Sequence, residues 1–180
     1  LRCYSGQELY QAVAEVSRLY PEVSISNVNG THEELYDLLR FGGADLILND
    51  QRRAFSDQYV NYQLLQCRCF AEVSVRSSLS SRTAVELDEL KRMTCILISS
   101  REQQNTEENY FKNTLGFGGK FLFAENLEEG RLMVTGNRGF LPVESVGTLP
   151  PAGPAICRLS IVQNAEPLRR NYCMFWLKER

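Results

Sequence analysis

The sequence predicts an α/β fold in two similar lobes, and three observations predict it. A short apolar run, a small polar residue and an amphipathic stretch recur in that order four times along the chain. The serine-rich stretch RSSLSSRT falls between the second and third of these units. One alternating run, Tyr62 to Val75, is too long for the small sheet that precedes it, so it reads as a strand leaving one lobe for the other.

The first unit opens with Leu1, Cys3 and Tyr4 as a strand. Leu9, Val13, Val16 and Tyr20 then follow at helical spacing. Ser5 with Glu8 has the spacing of a capping box, in which the hydroxyl takes a backbone N–H and the carboxylate reaches back; Pro21 stops the helix. The second unit begins with the alternating VSISNV of residues 23–28. Thr31 and Glu34 form a second box, Leu35, Leu38 and Leu39 mark a buried stripe, and Gly42-Gly43 ends the helix. A third strand, 44–49, follows directly. Strand, helix, strand, helix, strand with tight connections predicts a parallel sheet with right-handed crossovers.

Beyond the serine-rich connection, a short helix at 86–92 leads into the strand TCILIS. Ser100 with Gln103 is a possible third box before the helical stretch 106–115, and GKFLFA is the next strand. Asn126 with Glu129 caps a helix carrying Leu127, Leu132, Met133 and Val134. Gly136 and Gly139 break it, and Phe140 to Pro142 continues extended. GTLPPAGPA is a loop by composition, and ICRLSIV and YCMFWLK are the closing strands, with Trp176 expected in the core. The whole is two Rossmann-like lobes, 1–68 and 69–180, joined by crossover strands near 68–76 and 172–180.

Function classes narrow from composition. Net charge is -2, with 20 basic against 22 acidic residues, so the basic surplus of a nucleic-acid-binding domain is missing. No run of about 18 apolar residues exists, and the start carries no charged segment leading into an apolar one, so neither a membrane span nor a secretory signal is predicted. A cytoplasmic location is expected. The six cysteines sit in apolar, strand-like runs and read as reduced, buried thiols; Cys67 and Cys69, two apart on a strand, point the same way. With His32 alone and no spaced cysteine pairs, no metal set is complete, and no cofactor is expected. Neither a nucleophile elbow nor a carboxylate pair is present to nominate for catalysis.

In open α/β sheets ligands bind beyond the carboxyl ends of the strands, where helix starts present free N–H groups and a partial positive charge. Two lobes facing each other predict a cleft lined by Ser5, Thr31, Ser99, Ser100 and Asn126, holding a small polar or anionic ligand. Arg138 could pair with a carboxylate or be a solvated turn residue. Arg52 and Arg53 could reach the cleft mouth but are expected in a solvated loop.

The stretch YPEVSISNVNGTHEELYDLLRFGGADLILN, with Tyr20, Pro21, Gly30, Leu39, Gly43 and Asp45, resembles the signature of one family. So does ENLEEGRLMVTGNRGFLPVE. That family is the effector-binding domain of LysR-type transcriptional regulators. Two places depart from its pattern: Ser77-Ser78-Leu79-Ser80 replaces a usual His-Pro-Leu-Ala, and Gly136 to Pro142 is one residue short. The resemblance implies a type 2 periplasmic-binding-protein-like fold and an inter-lobe effector site. At that site it implies contacts from Ser5, Gly6 and Thr31 in the first lobe and Ser99, Ser100, Asn126, Arg138 and Phe140 in the second. For Ser5 and Thr31 simple capping stands beside effector contact. It further implies self-association, as a homodimer and as a tetramer in the parent, and promoter DNA bound only through an N-terminal helix-turn-helix. No such motif precedes Leu1 and no returning helix follows Arg180, so a sensor fragment lacking the first lobe's C-terminal helix is expected. A transporter's solute-binding protein shares the implied fold and is the alternative reading; an enzyme of the same architecture is a third.

Overall fold

The computed structural model describes residues 7–28, 30–52, 54–145 and 151–179. The predicted first strand, Ser5 and Gly6, the first capping box, Cys3 and Arg53 lie outside them. Helix α1 (Gln7–Leu19) stops before Pro21. Among the described residues, the next alternating stretch, 23–28, belongs to no strand. Its apolar side chains are open, Val23 at 47% and Val28 at 58%, which corrects the strand predicted there. Alternation states which face could be buried, and a strand forms only where a partner takes its backbone groups.

Helix α2 (His32–Phe41) has the boundaries its sequence predicts. Thr31 Oγ1 accepts the Glu34 amide at 3.3 Å and the Glu34 carboxylate accepts the Thr31 amide at 2.7 Å. At the other end Gly42 takes φ 80, a left-handed conformation that costs a side chain energy and glycine nothing. Strand β1 (Ile47–Asp50) follows.

Strand β2 (Tyr59–Ser74) is the 16-residue axis of the molecule. Over Tyr59–Arg68 it pairs antiparallel with β9 (Arg169–Leu177), and over Arg68–Ser74 with β6 (Leu141–Ser145) and β7 (Ile156–Gln163). The β9 ladder shifts register between Gln63 and Leu65, a bulge. Strand β1 pairs with the outer side of β9, Ile47 opposite Phe175 and Asp50 opposite Tyr172. Among the described residues the first sheet is therefore antiparallel, where a parallel one is predicted. The closing strand returns between β1 and β2, a neighbour relation that local periodicity does not encode.

At the other end β3 (Ala84–Glu86) runs parallel to β7, and β8 (Glu166–Pro167) closes a turn on it. Helix α3 (Leu87–Leu90) is shorter than predicted. Strands β4 (Cys95–Ile98) and β5 (Phe121–Ala124) form a separate parallel pair. Between them lie a 3₁₀ turn (Arg101–Gln103), α4 (Gln104–Asn109) and a π-helical turn (Tyr110–Thr114). The chain returns to β5 past Gly119, where a Cβ would sit 2.0 Å from the Met93 carbonyl oxygen; only glycine permits that approach. Helix α5 (Leu127–Thr135) starts at Asn126, whose Oδ1 accepts the Glu129 amide at 2.9 Å.

The core divides along β2. Tyr36, Leu39, Ile47, Tyr59, Cys173 and Phe175 pack together beside its first part. Cys69, Ala71 and Val73 enter the larger cluster with Leu90, Leu97, Phe117, Phe140 and Leu159. Trp176 is half-buried, and it is Phe175 next to it that fills the core. Cys67, Cys69, Cys95, Cys157 and Cys173 are free thiols, all but Cys157 buried. Burial pushes the Cys69 thiol up to about 12.

One ion group crosses this core. Glu72 on β2 is fully buried. Its carboxylate accepts Arg131 of α5 through Nε at 2.8 Å and Nη2 at 2.7 Å, and Arg158 of β7 through Nη2 at 2.8 Å. Burial alone would raise its pKa; the two guanidiniums outweigh burial and hold it below the usual value.

Candidate functional site

The capped start of α2 and the carboxyl end of β1 open onto one cavity of about 210 Å³. Gly30, Thr31 and His32 line it from the α2 side, and Leu48, Asn49, Asp50 and Arg52 from β1 and the residues after it. Gln103, Thr106 and Glu107 close it from the 3₁₀ turn and α4, and Arg170 and Tyr172 from β9. A helix start beside a strand's carboxyl end is where polar ligands are held in α/β proteins.

Charge dominates the walls. Arg52 binds the Asp50 carboxylate through Nε at 3.0 and 3.2 Å and reaches Glu107 through Nη2 at 3.3 Å. Its guanidinium carbon lies 4.0 Å from the centre of the Tyr110 ring. Arg170 places Nη1 3.4 Å from Asp50 and Nε 3.2 Å from Glu144. The Tyr172 hydroxyl donates to Glu144 at 2.5 Å.

Burial weakens both the phenol and the imidazole as charged groups. The Tyr172 pKa is driven far above its usual value by burial and by Glu144. That of His32 is lowered by burial and by Arg52, against the opposing pull of Asp50 at 3.9 Å, so the ring is neutral at pH 7. For Arg170, burial would lower the pKa; Glu144 and Asp50 outweigh it and raise it. Three donors or acceptors are buried in this wall without a hydrogen-bond partner: His32 Nδ1, Asn49 Nδ2 and Arg170 Nη1. Such atoms cost free energy unless a water or ligand meets them.

The sequence-predicted residues fare unequally. Thr31 lines the cavity, as both cap and wall. Ser99 and Ser100 do not line it; Ser99 is buried and donates to the Ser100 carbonyl at 3.1 Å. The predicted box at Ser100 is corrected as well, since its side chain caps nothing and the Gln103 amide goes to its carbonyl at 3.0 Å. Asn126 is a helix cap away from this cavity and Arg138 is exposed on a turn. Phe140 is fully buried against Phe117, ring centres 6.2 Å apart, so its side chain faces core and no cleft. Arg52 is corrected in the other direction, from solvated loop to a side chain 14% exposed inside an ion network. His32, Asn49, Asp50, Gln103, Glu107, Arg170 and Tyr172 line the cavity but were not among the ligand contacts expected from the sequence. The available signal was position: Asn49 and Asp50 end a strand beside a helix start.

Thr31→Ala is expected to lower stability by about 1 kcal/mol, the usual worth of an N-cap, read as a shift in the urea midpoint at unchanged slope.

A second hollow of about 200 Å³ is lined by the rings of Tyr36, Phe55, Tyr59 and Phe175 together with polar residues, Arg40, Gln51, Gln58 and Asn61 among them. Among the described residues, no group of three or more His, Cys, Asp or Glu could hold a metal ion, and no helix is long and apolar enough to cross a membrane.

The sequence matches no family model and no curated protein. In fold, the chain is similar to the regulatory domain of MetR, a LysR family regulator from N. meningitidis. The TM-score is 0.76 at 15% identity, over 97% of this chain and 80% of that one. It is also similar to OxyR in its oxidized form, at TM-score 0.69 and 16% identity over 99% and 84% of the two chains. A third similar structure is HinK, a LysR family transcriptional regulator from Pseudomonas aeruginosa, at 0.63 and 21%. The chain covers 59% of HinK's length. The likeness establishes the fold: two α/β lobes of the type 2 periplasmic-binding-protein-like class, as in LysR regulatory domains.

Proposed function

We propose that the chain is the effector-sensing and oligomerisation domain of a bacterial LysR-type transcriptional regulator, working in the cytoplasm and carrying no catalysis of its own. Its lobes are residues 1–68 and 69–180, crossing near 68–76 and 172–180, and the effector occupies the cavity between them. Promoter DNA is bound by a separate N-terminal domain of the parent protein. The observation that carries this reading is the cavity itself, walled by the α2 start on one side and by Gln103, Thr106 and Glu107 on the other, with buried polar atoms left unpaired. A ligand bridging those walls favours whichever lobe arrangement lets it touch both, and only that difference in affinity can shift the arrangement.

A thermal-shift screen of small polar metabolites tests the proposal. A true effector at a hundredfold excess over its Kd adds about 2.7 kcal/mol, several degrees in Tm for a domain of this size. Thr31→Val and Gln103→Leu, from opposite walls, are each expected to weaken it about tenfold, the worth of one lost hydrogen bond to a buried group; Arg138→Ala leaves it unchanged. A stabilising compound indifferent to both cavity substitutions would place the effector elsewhere and overturn the proposal.

A further inference from the structure

We infer that the ligand of this cavity is a small zwitterion, an amino acid in its chemistry, rather than the simple anion that helix-start geometry alone suggests; the inference rests on the effector reading above. The wall charges decide it. Two carboxylates, Asp50 and Glu107, face two guanidiniums, Arg52 and Arg170, and a third carboxylate, Glu144, is buried directly behind Arg170. With His32 neutral, acids outnumber cations three to two. A monoanion would add a further negative charge to a region already short of positive charge, where each arginine is shared between two carboxylates.

A zwitterion leaves the balance untouched and finds a partner for each end. Its carboxylate meets Asn49 Nδ2, which makes no hydrogen bond, and Arg170 Nη1, which lies 3.4 Å from Asp50 without hydrogen-bonding it, beside the start of α2, where the first amides have no partner within the helix. Its ammonium meets Glu107, the most accessible of the acids at 17% exposure against 8% for Asp50 and 2% for Glu144. The His32 ring, 9% exposed with Nδ1 unpaired, lies in the wall between them as a further hydrogen-bonding group. Size restricts the class: about 210 Å³ falls below the roughly 300–1,000 Å³ of ordinary small-molecule sites, so the side chain must be compact.

The test is calorimetric titration of the full chain with the twenty standard amino acids, then with the two halves of each one that binds: the acid lacking the amine and the amine lacking the carboxylate. For alanine these are propanoate and ethylamine. At least one amino acid is expected to bind, with both halves at least about tenfold weaker, one charged hydrogen-bonded contact being lost in each. Glu107→Gln, which leaves Arg52 its bond to Asp50, is expected to abolish the preference for the amino acid over its acid half. Equal binding of the acid half, or no binding by any of the twenty, overturns the inference. If another metabolite still binds and responds to Thr31→Val and Gln103→Leu, the effector reading stands without it.

Discussion

Phe140→Ala is expected to lower the free energy of unfolding by about 3–5 kcal/mol, the range for emptying a fully buried phenylalanine site. The ring stacks on Phe117 at 28°. The backbone around it is pinned on both sides: its amide donates to the Thr94 carbonyl at 3.0 Å and its carbonyl accepts from Ile96 at 2.8 Å. That pinning prevents the site from collapsing around the missing ring, so the void persists and the cost falls toward the upper end. Urea denaturation followed by tryptophan fluorescence measures it. Ligand affinity of the folded variant should stay at the wild-type value. A variant that kept its stability and lost its ligand would put the ring in the cleft, as the family resemblance implies, and contradict the packing described above.

The second large effect belongs to Glu72. Glu72→Gln removes a charge that pairs with both Arg131 and Arg158, and is expected to cost about 3 kcal/mol, the lower end for breaking a buried ion group. The lower end applies because the two arginine side chains are 25% and 17% exposed and can recover some water. Its pH dependence has a defined sign. The folded pKa of Glu72 is depressed, so its contribution is complete above the unfolded glutamate value of about 4.3 and is lost as pH falls through the folded one. The stability gap between wild type and Glu72→Gln should therefore be full at pH 7 and narrow below about pH 4. A gap that stayed constant into acid would mean that the carboxylate is not held by its arginines.

What the sequence disclosed follows the range of each interaction. The Thr31–Glu34 box is written within four residues, and helix α2 appears where its spacing places it. The length of β2 is written in its alternation. The antiparallel arrangement of β1, β9 and β2 is not, because Ile47 meets Phe175 from the far end of the chain and no local pattern names that partner. The site follows the same rule. Thr31 was legible as a helix start, whereas the Asp50–Arg170–Glu144 network joins three strands from distant parts of the sequence. Arg52 in isolation looks like any loop arginine; only Asp50, Glu107 and the face of Tyr110 make it a wall residue. Asn126 and Ser100 stand at helix starts, but neither lines the cavity.

The interrupted ladder between Gln63 and Leu65 has a mechanical side. Two long hydrogen-bonded strands resist stretching, since every rung would have to break at once, yet a bulge concentrates twist and bend at a single place. The ribbon formed by β2 and β9 is thus least regular midway between Tyr59 and Arg68, and the added twist and bend of the long strand are gathered there.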